Sequence, residues 1–139
     1  IKGKNVKLGF GGLADIEFLV QILQLMHGKK FACIRETNTF SALKSLVALG
    51  LIDLRMAEEL QISYVFLRNL ECILRIIHQV PTNNLPKDSK GQASIARLLG
   101  YVGEDPETLA DGLLADYARH TKQVHKHYRK TIGKFLRAH

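Results

Sequence analysis

The sequence has no tryptophan, only two cysteines and only three prolines in 139 residues. Cys33 and Cys72 sit among apolar neighbours without the spacing of metal ligands, so neither a disulfide scaffold nor a thiolate metal site is indicated. No apolar run approaches the roughly 20 residues that cross a bilayer. Ile1 to Val6 lacks both the apolar stretch and the cleavage site of a secretory signal. A soluble, reducing, cytoplasmic setting with no membrane partner is therefore expected. Ile1 stands where an initiator methionine would, and the chain reads as a segment of a longer polypeptide. There is no internal repeat, no low-complexity stretch and no linker that would divide it. With 46% hydrophobic residues it suffices for one domain with its own core, residues 1–139. Alternating patterning is confined to Asn5 to Leu8, too short to found a sheet.

What is present is helical periodicity. Ile16, Leu19, Val20, Leu23 and Met26 share one face of a helix from Gly12 or Leu13 to His27, with Gly28 as its stop. After a loop over 29–37, Asn38 can cap a short second helix through Leu49, built on Phe40, Leu43, Leu46 and Val47 and ended by Gly50. Asp53 caps a long third helix reaching about Gln79, where Pro81 and the polar stretch 82–87 interrupt it. Its stripe is Leu60, Tyr64, Leu67, Leu70, Leu74 and Ile77. A brief helix over 92–99 precedes Gly100. Asp105, Pro106 at the first helical position and Glu107 then open a last helix extending to about Leu136. The expected fold is all-α, a bundle of about five helices, two of them long.

The net charge of +7 admits anionic partners. The basic run from Lys122 to Lys134 reads as a solvated face, because it lacks the interleaved exposed aromatics of a nucleic-acid surface beyond Tyr128. His120, His125 and His127 fall on different faces or two turns apart, which does not suit one metal ion. No serine, cysteine or histidine arrangement suggests a nucleophile.

The densest signal is Lys7-Leu8-Gly9-Phe10-Gly11-Gly12-Leu13-Ala14-Asp15-Ile16-Glu17-Phe18. Gly9, Gly11 and Ala14 loosely match a dinucleotide-binding turn, but helices follow where a βαβ unit is required. The plain alternative is a close glycine approach, with Asp15 at the positive end of the first helix. Asp15 and Glu17 diverge by roughly 200° on a helix and cannot serve as a paired acid and base. One of them, or Gln21 a turn beyond Glu17, can instead face a neighbouring domain. A second signal is Arg68, Glu71 and Arg75 at one-turn spacing, where Glu71 can bridge both arginines. They form either a solvated salt-bridge row or a cationic face for an anionic partner.

Together, Lys7-Leu8-Gly9-x-Gly11-Gly12-x-x-Asp15-Ile16-Glu17-Phe18-x-Val20-Gln21 and Tyr64-x-Phe66-Leu67-Arg68-x-Leu70-Glu71, with Leu85-Pro86 downstream, carry a resemblance. The sequence resembles the helical domain that follows a nucleotidyltransferase domain in the bacterial glutamine synthetase adenylyltransferase/adenylyl-removing family. The resemblance implies a parent enzyme that transfers AMP from ATP to a tyrosine of glutamine synthetase, using Mg²⁺, and removes it by phosphorolysis under control of PII signal protein. The family's Gly-Ser turn and Asp-x-Asp motif lie in the upstream domain, so no catalytic or metal ligand, and no cofactor, is carried onto this segment, which alone should be inactive. Residues 1–11 would lead in from that domain. Gly11, Gly12, Asp15, Glu17 and Gln21 would form the helix beside its active site, and Arg68 and Glu71 the family pattern of the central helix. The Asp15-Ile16-Glu17 form favours the C-terminal, adenylylating half. An alternative reading is a helical interaction module whose Arg68, Arg75 and basic last helix bind an acidic partner.

Overall fold

The computed structural model describes residues 4–27, 38–78 and 82–138. Five helices follow one another: α1 (Leu13–His27), α2 (Thr39–Ala48), α3 (Leu54–Ile77), α4 (Ser89–Leu98) and α5 (Pro106–Ala138). Among the described residues the only bridge of strand type is an isolated antiparallel pair, Asn5 with Asn84. The expected all-α bundle is what the chain forms. The loop expected over 29–37 with Cys33, and the stops at Gly28 and Pro81, lie outside the described residues.

The helix starts obey side-chain capping. Asn38 accepts from the Ser41 amide at 3.1 Å, Asp53 from Met56 at 2.7 Å, and Asp88 from Gly91 at 2.9 Å. The last of these sets the start of α4 at Ser89 rather than Gln92, because Asp88 supplies a cap upstream of the apolar stripe. At the other ends, Gly50 and Gly100 adopt φ of +71° and +100°. Their amides bond Val47 and Arg97, while Leu51 and Tyr101 bond Leu46 and Ala96, two Schellman closures.

α5, 33 residues and roughly 50 Å long, is the spine. α1, α3 and α4 all pack against it, and α2 bridges α1 and α3. The core is made from the periodic stripes: Ile16 and Leu19 of α1, Leu60, Leu67, Leu70 and Leu74 of α3, and Leu113 and Val124 of α5 are sealed from solvent.

The glycine-rich segment ahead of α1 is pinned to this spine. Val6 is fully buried and its amide bonds Asn83 at 2.7 Å, while Leu85 reaches back to Lys4 at 3.0 Å. Tyr117 of α5 donates to the Asn5 carbonyl at 3.3 Å, and burial pushes its hydroxyl up to about 12. Gly11 stands at φ +64°, with its backbone so near α5 that a Cβ would lie 1.9 Å from the Thr121 carbonyl oxygen. At Gly12 a Cβ would meet the Val6 carbonyl at 2.6 Å. These glycines exist to bring two backbones together.

Gly11→Ala should therefore destabilise the domain by about 3 kcal/mol or more, combining left-handed strain with a backbone clash. Gly50→Ala, with similar φ but open space around it, should cost only about 1 kcal/mol. Urea unfolding of both variants checks this; equal losses would mean that the Thr121 contact is not the constraint.

Candidate interdomain face on α1 and α3

α1 buries Leu13, Ile16, Leu19, Val20 and Leu23 on one side. Its opposite side carries half-buried Ala14 and exposed Phe18, Gln21 and Leu25, at i, i+4, i+7 and i+11. Phe18 is 53% exposed and Leu25 73% exposed, and no charged residue lies in this row. A helix whose outer side is uncharged and partly large and apolar is suited to being covered.

Along the edge of that row runs a polar network that joins the two sequence signals. Glu17 of α1 meets Arg68 of α3 at 3.5 Å. Arg68 donates through Nη1 to Glu71 Oε1 at 2.8 Å, and through Nε and Nη2 to the Tyr64 hydroxyl at 3.1 and 2.9 Å. Its guanidinium also sits 5.2 Å from the Tyr64 ring centroid. Partial burial opposes its charge, but the bonds to Tyr64 and Glu71 outweigh that and raise its pKa further. Glu71 is only 2% exposed, so the solvated row expected as one reading of Arg68, Glu71 and Arg75 is not what forms. Its second oxygen, Oε2, lacks a hydrogen bond and has Arg75 Nη2 at 3.6 Å as its ion-pair partner. A buried carboxylate thus holds two half-exposed cations, one of which, Arg68, meets Glu17 at the edge of the α1 row.

The other residues singled out in the sequence divide. Asp15 turns away from Glu17 and accepts from the Gly11 amide at 2.8 Å, stabilising the glycine turn at the helix start. Gly11 and Gly12 make the α5 contact described above. Gln21 is exposed on the outer row between Phe18 and Leu25.

A second polar seam, between α3 and α5, had no local signal in the sequence. His127 pairs with Glu59 at 2.7 Å and His120 with Ser63 at 2.9 Å, joining residues 68 and 57 apart in the chain. His120 also stacks on Phe66 with centroids 4.4 Å apart. The bond to His127 holds the Glu59 carboxyl below the usual range. The bond from Tyr101 does the same for Asp116, and burial together with Asp116 raises the Tyr101 hydroxyl. By sequence these histidines are considered only as metal ligands; the spacing of His120 to Tyr117 and Val124, which places it on the buried side of α5, is the signal that could have indicated its burial.

The fold and this face define a helical-bundle domain whose α1 exposes an uncharged, partly apolar outer row. The family model for GlnD PII-uridylyltransferase matches residues 1–132, and the chain belongs to that family. It is similar to the bifunctional glutamine synthetase adenylyltransferase/adenylyl-removing enzymes of three bacteria. With that of Hahella chejuensis it is 38% identical over 99 residues, 71% of this chain and 10% of that protein. With that of Shewanella oneidensis it is 32% identical over 130 residues, 93% and 13%. With that of Bartonella quintana it is 36% identical over 126 residues, 91% and 12%. The chain thus spans only 10 to 13% of the length of these relatives.

Two stability measurements follow. Arg68→Met leaves Glu71 buried with only the longer contact to Arg75, and should cost about 1–3 kcal/mol; Arg75→Met should cost clearly less, and the reverse order in chemical denaturation would contradict the network. For His120, burial depresses the folded-state pKa below the roughly 6.5 of an unfolded histidine, with Arg119 adding to the depression and Asp116 opposing it. The unfolded chain therefore binds the proton first, and stability conferred above that value is lost as pH falls below it. Unfolding at pH 7 and 5.5 should show this loss, and His120→Asn, which can keep a partner for Ser63, should reduce it; Glu59 and Asp116 contribute only in the more acid carboxylate range.

Proposed function

We propose that this domain is the accessory and regulatory helical part of an enzyme that adenylylates, and deadenylylates, a tyrosine of glutamine synthetase in nitrogen regulation. The observation that carries this reading is the uncharged outer row of α1, with Phe18 and Leu25 exposed beside Glu17. That row is positioned to lie against a nucleotidyltransferase domain upstream in the same polypeptide. The names of the three relatives and the two sequence motifs support the choice of adenylyl over uridylyl transfer.

In this reading ATP and Mg²⁺ are bound by the upstream domain, and no residue of this chain ligates them. AMP passes from ATP to the tyrosine hydroxyl as pyrophosphate leaves. In removal, inorganic phosphate attacks the phosphorus of the tyrosyl-bound AMP, breaking its bond to the tyrosine oxygen and releasing the free tyrosine hydroxyl and ADP. The work of this domain is positional. Gly11 and Gly12 fix the start of α1 on α5, Asp15 braces that turn, and Arg68, itself held by buried Glu71, fixes the Glu17 carboxylate at the edge of the interface. Glu17 and Gln21 then meet the active-site side of the neighbouring domain. Small displacements of positioning groups can cost orders of magnitude in rate, so a lever of this kind can also regulate. Glutamine synthetase and PII signal protein are the partners of the whole enzyme, working in the cytoplasm.

The test is AMP incorporation into purified glutamine synthetase from ATP and Mg²⁺. The longer native protein should label it and the present chain alone should not. Glu17→Gln in the longer protein should lower labelling by about tenfold or more while the isolated domain melts as before. Unchanged labelling by the variant would remove Glu17 from the interface, and no labelling by the longer protein would favour the removing half of such an enzyme.

A further inference from the structure

The C-terminal half of α5 carries charge of one sign only. From Tyr117 to the end of the chain there is no aspartate or glutamate. Lys122, Lys126, Arg129, Lys130, Lys134 and Arg137 are all exposed. At about 100° per residue they fall within roughly 140° of the helix circumference, over roughly 22 Å of its length. Among the described residues none of the six has an ion-pair partner, whereas Arg55, Arg68, Arg75 and Arg119 all do.

Two ordinary explanations fall short. Compensation of the helix dipole needs cations in the last turn, where only Arg137 stands. A merely solvated face mixes signs, since like charges one turn apart destabilise a helix; here Lys122, Lys126, Lys130 and Lys134 form an uninterrupted i, i+4 row. The row opposes helix formation and persists without a carboxylate to relieve it.

We propose that this face docks a separate protein through a carboxylate-rich surface, presenting acidic side chains at about one-turn spacing. Protein is favoured over nucleic acid because the face has no aromatic platform for bases. Tyr128 packs against the core on the other side of the helix, and Phe10, at the margin, is already stacked on His125 at 3.8 Å. Insertion into a membrane surface is disfavoured because Val124 and Tyr128 on the apolar side of α5 pack in the core, which leaves Leu136 as the one large, well-exposed hydrophobic among the described residues of this helix. The partner is a separate protein rather than the upstream domain because Thr121, against which the Gly11 turn packs, lies about 150° round the helix from the centre of the basic face. That choice rests on the assignment of α1 and its leading segment to the upstream domain, but the surface itself does not.

The probe is a fluorescein-labelled helical peptide of about 20 residues with four glutamates at i, i+4 spacing, titrated with the present chain and read by fluorescence anisotropy. Binding should weaken steeply as salt rises from about 50 to about 300 mM. Lys126→Glu/Arg129→Glu/Lys130→Glu should lose affinity by about tenfold or more, and the corresponding triple glutamine variant by an intermediate amount. Lys44→Glu/Lys87→Glu/Lys90→Glu, equal in net charge but elsewhere on the surface, should lose less than about threefold. Equal losses in the two reversal variants would reduce the effect to net charge and overturn the proposal. So would tighter binding of a single-stranded RNA of about 20 nucleotides than of the peptide.

Discussion

The approach of the Gly11 backbone to the Thr121 carbonyl is the contact on which the arrangement rests. α5 is long enough to organise the domain, but α1 can lie against it only if the chain ahead of α1 passes within van der Waals distance of its backbone. A side chain at Gly11 has no room, and the left-handed φ there is one that glycine adopts without strain. Once that crossing is made, Asp15 can accept the Gly11 amide, Val6 can be buried, and Tyr117 can reach the Asn5 carbonyl. The direction in which α1 leaves the turn then decides which of its residues face the core and which face outward.

That direction gives the outer row of α1 its meaning. Phe18 and Leu25 are exposed because the opposite stripe is buried, and Glu17 lies at the boundary between the two. The boundary is stiffened from α3. Glu71, almost wholly desolvated, would be costly without compensation, and Arg68 and Arg75 supply it. The same bonds orient Arg68 toward Glu17. A buried acid in one helix thereby determines where a half-exposed acid in another is held, which links core packing to the edge of the outer row.

The bundle separates this face from the basic side of α5. The polar seam of Glu59 with His127 and Ser63 with His120 fixes the rotation of α5 about its axis relative to α3. With that rotation set, the lysine row is turned to solvent, away from the side that receives the glycine turn. Two surfaces of different chemistry, one uncharged and one cationic, are thus held on a single rigid frame.

Much of this was legible in the residues alone. Periodic stripes and the caps Asn38, Asp53 and Asp105 gave five helices with two long ones, because amphipathic spacing and capping are local properties of a chain. The start of α4 was misjudged at Gln92, since its cap Asp88 precedes a glycine and a polar turn that carry no apolar period. The glycines and the Arg68 row stood out as motifs, yet their roles did not. Whether Glu71 is solvated or buried, whether Glu17 reaches Arg68, and which histidine meets which partner all depend on the crossing and rotation of helices far apart in sequence. Those are set by the shapes of packed side chains, which no local spacing encodes. The sequence by itself determined the helices, most of their starts and the residues of interest; only the tertiary structure decided which faces remained exposed, because exposure is what packing leaves over.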